Sequence, residues 1–236
     1  MRPTMRFVPA KTAEQQAAVL LHRGRERLVR QRTMLVRGHL AEFGVIAPQG
    51  LRNVGRLIAI IRDEEDARLP ALARQVLQVL ATQIGQIEAA ATGLEKQLMG
   101  WHKSNPISQR LATIPGIGPI IATAIAAMVA EPSGFRSGRE FAAWLGLVPR
   151  QNSTGGKNRL GGISKRGNQY LRRLLIDGAS ANLLRSKATN ADPWVIGLRR
   201  RRPSLVVAVA LANKTARIAW AVMHRQENYQ RMATAA

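Results

Sequence analysis

The chain has 236 residues and 25.9 kDa, room for one large domain or two small ones, and its 46% hydrophobic content excludes wholesale disorder. Lys and Arg number 36 against 14 Asp and Glu, a formal charge of +22 with a pI near 11.9, so the expected partner is a polyanion, nucleic acid first. The absence of Cys removes thiol catalysis, disulfides and thiolate metal sites; His22, His39, His102 and His224 lie too far apart for a zinc site; and no apolar run nears the roughly 20 residues of a membrane span.

Residues 12–43 read as helix, opened by a capping box of Thr12 and Gln15 and ended by Gly44 before a turn through Pro48 and Gly50. A short apolar segment, 51–61, leads to the acids 63–66, and a long helix follows from about 69 to 100. In it Leu72, Val76, Val79, Leu80, Ile84, Ile87, Leu94 and Leu98 recur at three- and four-residue steps, a seam for another helix. Four consecutive acids point all round a helix or fray into a turn, so Asp63, Glu64, Glu65 and Asp66 read as a solvated cap rather than a metal site. Residues 1–105 are thus expected to form a helical stalk, an antiparallel helical hairpin or short coiled coil. Residues 106–236 are expected to form a compact helical domain.

Residues 111–129 place Gly116 and Gly118 after Pro115 and before an Ala-rich apolar helix, the pattern of a helix-hairpin-helix. Its glycines allow a sharp turn, and the N–H groups opening the second helix can hold a DNA phosphate without reading sequence. The alternative is an ordinary turn between helices. Beyond it the charge concentrates: residues 136–202 carry 15 basic and 3 acidic residues, unlike a solvated face of mixed sign.

Within that segment, 149–167 reads as a basic Gly/Ser loop. From 149 to 173 there are five glycines, the hydroxyls of Ser153, Thr154 and Ser164, and seven Lys or Arg, with no Asp, Glu or His. A hydroxyl among cations suits nucleophilic attack on a phosphodiester, and the same composition suits plain phosphate binding. Gly155-Gly156-Lys157 lacks the first glycine, the hydroxyl after Lys and the preceding strand of a P-loop, so ATP hydrolysis is not expected. A helix over 168–186 starts at Asn168 as N-cap, buries Leu171, Leu174, Leu175 and Ala179, and turns Arg172 and Arg173 outward. A loop at 187–194, the run Arg199–Arg202 and a last helix over 204–225 complete a mainly α chain.

Three stretches, "LATIPGIGPIIATAIAA", "FAAWLGLVPRQNSTGGKNRLGGISKRGNQYLRRLLIDGA" and "RQRTML…RGHLAEFGV", together resemble the insertion-sequence one-ten transposases, most closely the eleven-eleven subgroup, which is related to Piv-type DNA invertases. The resemblance runs over nearly the whole chain. It implies an RNase H-like domain with an Asp/Glu/Asp/Asp site for Mg2+, then a helical coiled-coil segment, then a transposase domain with a nucleophilic serine. It also implies dimers and tetramers assembled through the stalk, double-stranded DNA at element ends and target, and a bridge RNA that pairs with both. The serine forms a covalent phosphoserine with the DNA backbone. The opening "RPTMRFVPAKTAEQQAAVLLHR" resembles the family segment just after the last metal-site aspartate, so the expectation is a truncated copy that holds no metal or cofactor itself and is inactive alone. About three residues that the family carries between Leu35 and Arg37 are missing here, which in a helix turns the downstream face by roughly 60°.

By the family pattern the nucleophile is Ser153, with Thr154 second and Ser164 third, the last more simply a helix cap. Expected phosphate contacts are Lys157, Arg159, Lys165, Arg166, Arg172 and Arg173, with Gly116 and Gly118 from the hairpin; Arg199–Arg202 either touch backbone phosphates or are solvated. Three functions stand side by side: a serine transposase needing its metal-binding half from elsewhere, a non-catalytic remnant that binds nucleic acid or intact transposase, and a DNA-packaging protein, which fits the charge but not the Ser/Gly loop. A cytoplasmic, nucleoid-associated protein without a membrane partner is expected.

Overall fold

A computed structural model describes residues 9–34, 37–46, 48, 52–157, 159–185 and 192–230. Among them the chain is mainly α, as its patterning predicts, with ten α-helices and one two-stranded β-ribbon. They form two compact units, each described in turn: one holds the described residues up to Val19 and from Met99 onward, the other is Leu20–Leu98.

The helix α1 (Ala13–Met34) opens on the reciprocal capping box. The Gln15 amide donates to Thr12 Oγ1 at 3.1 Å and the Thr12 amide to Gln15 Oε1 at 3.0 Å, satisfying two donors the helix cannot satisfy itself. In the Leu20–Leu98 unit, α2 (Arg37–Glu42) closes as expected at Gly44: the Val45 amide bonds the Leu40 carbonyl and the Gly44 amide that of Ala41, with Leu40 and Val45 both buried. The junction at Leu35 and Val36, where the three-residue difference falls, lies outside the described residues. The apolar segment after the turn is α3 (Arg52–Arg62), which buries Val54, Leu57 and Ile61 against Leu77, Ala81 and Ile84 of α4 (Ala71–Ser104). Within this unit Arg25 pairs with Glu95 at 2.6 Å, tying α1 to α4.

The turn from α3 to α4 is organised rather than frayed. Asp63 accepts from the Glu65 amide, Asp66 accepts from the amide and guanidinium of Arg68, and the buried Arg74 donates to the carbonyls of Ile60, Ile61, Asp63, Asp66 and Leu69. That bonding corrects the start of the expected seam on α4, while its later members Ile84 and Leu98 are buried as expected. Leu72, Val76 and Val79 are exposed, and the buried line runs Arg74, Leu77, Ala81, Ile84. An arginine satisfied by five carbonyls sets the phase of the first turns, and apolar spacing alone points to the neighbouring face.

In the other unit, α5 (Pro106–Ala112) starts at Asn105, whose side chain accepts from the Ser108 amide. A turn at 113–118 leads into α6 (Pro119–Met128), buried over Ile121–Ala127 and so apolar all round, as a central helix must be. It packs on α5 and on α8 (Gln169–Arg185), while α10 (Ser204–Arg225) packs on α5, α7 (Gly138–Trp144) and α8, with β1 (Pro149–Gln151) and β2 (Leu160–Ile163) between α7 and α8 in sequence. Residues expected as a loop at 187–194 include the start of α9 (Pro193–Arg199): Asp192 caps it by accepting from the Trp194 amide, and Pro193 fits the first helical position. The rest of that loop lies outside the described residues.

With 22 residues, α10 has the length and composition to cross a bilayer, which the reading for apolar runs did not register. Here Val207, Ala212, Ala216 and Ala219 of α10 are buried in the core while Arg217 is exposed, so the helix serves the fold as a core element.

His22, on α1 in the Leu20–Leu98 unit, is wholly buried, and burial with the nearby Arg25 charge lowers its pKa to about 4 from 6.5. The neutral ring is therefore the folded form, and the unfolded chain binds the extra proton between those values. Stability is full above pH 6.5 and falls by roughly 2–3 kcal/mol as pH drops toward 4. Urea unfolding at pH 7 and pH 5 should show this loss in the wild type and a smaller one in His22→Leu.

Candidate nucleic-acid interface

The segment read as a basic loop is a β-ribbon, correcting the loop assignment. Thr154-Gly155-Gly156-Lys157 makes its tip: both glycines have positive φ (53° and 74°), the sign a type I′ turn requires, and the Lys157 amide donates to the Thr154 carbonyl at 3.0 Å. The antiparallel strands pair Pro149 with Ile163 and Gln151 with Leu160, with an irregularity between, and the Asn152 amide donates to the Arg159 carbonyl at 2.8 Å. Strand signal was weak because β1 is exposed throughout and β2 almost so, which leaves no alternation of buried and exposed residues to read.

Ser153 is half-buried beside this tip, and its Oγ accepts the Arg159 amide at 3.1 Å. That bond leaves the hydroxyl proton and one lone pair for other partners. Arg150, Thr154, Lys157 and Arg159 are exposed around it. Ser164 lies at the ribbon's root, its amide donating to the Val148 carbonyl at 2.8 Å. It does not cap the next helix. Asn168 does, accepting the Leu171 amide at 3.0 Å.

The root is closed by Arg172, which was expected to face outward. It is 8% exposed, and its Nη1 donates at 2.9 Å both to the Leu145 carbonyl, at the end of α7, and to the Arg166 carbonyl, just before α8. The backbones it joins touch. A Cβ on Gly146 would overlap the Arg166 carbonyl, and one on Gly167, whose φ is 78°, would overlap that of Trp144. Arg172 is therefore a structural cation. Lys165, Arg166 and Arg173 are exposed, with Arg173 5.6 Å over the Tyr170 ring.

The turn between α5 and α6 brings Gly116 against α8, where a Cβ on Gly116 would lie 3.2 Å from the Gly178 carbonyl oxygen. Gly118 is open and caps α6 ahead of Pro119. Beside them is a pocket of about 400 Å3 whose lining includes Asp177, Asn182 and Arg185. Burial raises the pKa of Asp177, opposed by the Arg173 charge. An anion at this turn would meet Gly116, Gly118 and Arg185, which line the pocket, but also the Asp177 carboxylate.

A family model described as the IS116/IS110/IS902 transposase family matches residues 108–194, which contain the turn, the ribbon and the root. A "Probable family 20 transposase" of Pseudomonas aeruginosa is 50% identical over 236 residues, covering 97% of this chain and 70% of its own length. The chain belongs to this transposase family. The transposase for insertion sequence element IS1328 of Yersinia enterocolitica is 42% identical, covering 94% of this chain and 67% of its own length. That for IS1111A of Coxiella burnetii is 40% identical, covering 97% and 64%. The chain thus spans about two thirds of the length of these curated relatives.

Among the described residues no three His, Asp or Glu side chains gather as a metal site needs. The run Arg199–Arg202 is exposed at the end of α9. The sequence reading passed over Arg139, Trp194, Lys214, Arg217 and Trp220, which three helices bring to one groove; their only signal was that Arg139 and Trp194 fall within the basic segment.

The root and the tip separate in experiment. Arg172→Ala, which leaves buried carbonyls unpaired, and Gly167→Ala, which meets both a left-handed φ and a carbonyl, should each cost about 3 kcal/mol in urea unfolding. Lys157→Ala and Arg159→Ala should leave stability within about 0.5 kcal/mol. Each should instead lower the slope of log K against log salt for duplex DNA by about 0.9.

Proposed function

We propose that this chain carries the strand-transfer serine of an insertion-sequence transposase, and that Ser153 attacks the DNA backbone under the guidance of a bridge RNA. The observation that carries the reading is the placement of Ser153 beside the tip of an exposed ribbon among Arg150, Lys157 and Arg159. Two-stranded ribbons fit the major groove of DNA, and exposed cations on the same ribbon can stabilise the charge that develops on a five-coordinate phosphorus. In the step, a bond forms between Oγ and phosphorus, and the bond from phosphorus to a sugar oxygen breaks. The serine proton leaves, and the departing sugar oxygen takes one up. Residues 149–173 hold no Asp, Glu or His, so no carboxylate or imidazole of the ribbon or its root takes the proton.

A second reading is favoured by the lack of a gathered acidic site among the described residues. In it this chain alone binds nucleic acid and does no chemistry until acidic groups arrive from elsewhere. Self-association is supported by Leu72, Val76 and Val79, exposed at i, i+4 and i+7 of α4, the spacing of a seam for a second copy.

Element-end DNA, its guide RNA and a full-length relative deprived of its own serine provide the test of chemistry. A denaturing gel should show a covalent protein–DNA adduct with the wild type and with Thr154→Ala, and none with Ser153→Ala. The reverse pattern moves the nucleophile to Thr154, and DNA binding without an adduct leaves the binding-only reading. For self-association, sedimentation should show a dimer or larger species that becomes monomeric when Leu72, Val76 and Val79 are all changed to Glu. An unchanged mass would remove α4 as the interface.

A further inference from the structure

Three helices that the strand-transfer reading leaves unused, α7, α9 and α10, line an open groove of about 870 Å3. Natural ligand sites occupy roughly 300–1,000 Å3. Arg139 comes from α7, Trp194 from α9, and Asn213, Lys214, Arg217 and Trp220 from α10. No Asp or Glu is among the lining residues, and Asp192 just before α9 is already bonded to Lys214 at 2.5 Å. Arg139 and Arg217 are exposed and carry no ion pair or side-chain hydrogen bond among the described residues.

The groove holds one fixed aromatic ring, Trp220, and one exposed ring, Trp194. Trp194 is 43% exposed, with Lys214 Nζ 4.9 Å from its ring centre. The Trp220 indole N–H donates to the Pro132 carbonyl at 3.0 Å, and its ring stacks on His224 at 4.9 Å and 11°. A fixed ring spares a ligand the cost of ordering it. The wall is backbone-tight as well, since a Cβ on Gly138 would lie 2.9 Å from the Arg217 carbonyl oxygen.

We propose that this groove binds a single-stranded stretch of nucleic acid, with an unstacked base on the exposed indole of Trp194 and adjoining phosphates on Arg139 and Arg217. A duplex offers indoles only base edges, whereas single strands offer base faces, and flat rings flanked by cations match that alternation of base and phosphate. An acidic peptide would satisfy the arginines but leave the indole face without a flat partner. The groove also adjoins the ribbon's root: Asn213 Nδ2 donates at 3.0 Å to the Leu147 carbonyl, two residues before β1. A strand held here lies next to the segment that carries Ser153. The inference goes beyond the strand-transfer reading and stands whether or not Ser153 is the nucleophile.

The test uses the full chain, with fluorescence anisotropy on labelled oligouridine, oligothymidine and a DNA duplex. Trp194→Ala should weaken single-strand binding about fivefold or more, the low end of one stacked base, while Trp194→Phe retains most of it. Duplex affinity should stay unchanged in both, as should the affinity of Ser153→Ala for single strands. Arg139→Gln combined with Arg217→Gln should lower the single-strand salt slope by about 1.4, at about 0.7 per phosphate. A preference for uridine identifies RNA as the natural strand; equal binding identifies either strand; both support the groove. Equal losses on single strand and duplex in Trp194→Ala, no loss on either, or competition by polyglutamate as effective as that by oligouridine would each overturn it.

Discussion

The buried guanidinium of Arg172 is the constraint on which the ribbon depends. A charged group can leave water only if its donors find acceptors, and Arg172 finds the carbonyls of Leu145 and Arg166. Those two carbonyls belong to the end of one helix and to the loop before another, so satisfying the arginine fixes where the chain leaves α7 and where it enters α8. Gly146 and Gly167 allow the two backbones to approach closely enough for one side chain to bridge them. The ribbon is what the chain builds between these two fixed points.

That arrangement explains how so small a ribbon can hold a definite place. Strands of three and four residues with exposed faces bury too little to be stable alone. Order comes from the root, where the Ser164 amide bonds Val148, the Lys165 amide bonds Gly146, and Arg172 closes the circuit. At the other end the two-glycine turn, the Asn152–Arg159 backbone bond and the Arg159–Ser153 bond shape the tip. The ribbon is therefore held where it joins the core and bare at its tip.

Legibility in the sequence followed the kind of signal. Caps were readable because they use a few residue types at fixed offsets: Thr12 with Gln15, Gly44 and Asn168 all lie where those offsets place them, and α10 has the expected limits. The phase of α4 was not readable, because its first buried position is an arginine and the apolar residues beside it face out. The ribbon escaped for a related reason, since without a buried face it has no period of two. Thr154-Gly155-Gly156-Lys157 was a hairpin signal all the same, hidden by its likeness to a phosphate loop. Arg172 was misplaced because spacing on a helix cannot tell a solvated arginine from one that backbone carbonyls satisfy. The aromatic groove draws on 139, 194, 214, 217 and 220, a grouping that only the packing of three helices creates.

One economy connects these misreadings. With 36 basic and 14 acidic residues, the chain cannot neutralise its cations by pairing them. Where the fold needs a buried cation it uses arginine and satisfies it with neutral carbonyls, five around Arg74 and two around Arg172. A carboxylate partner would have cancelled the charge, whereas a carbonyl holds the guanidinium and leaves its full charge in the local field. Arg172 therefore locks the root of the ribbon without losing its charge to a partner. In a protein whose partner is a polyanion, carbonyl pairing lets the same residues that fix the fold also attract what the fold is built to hold.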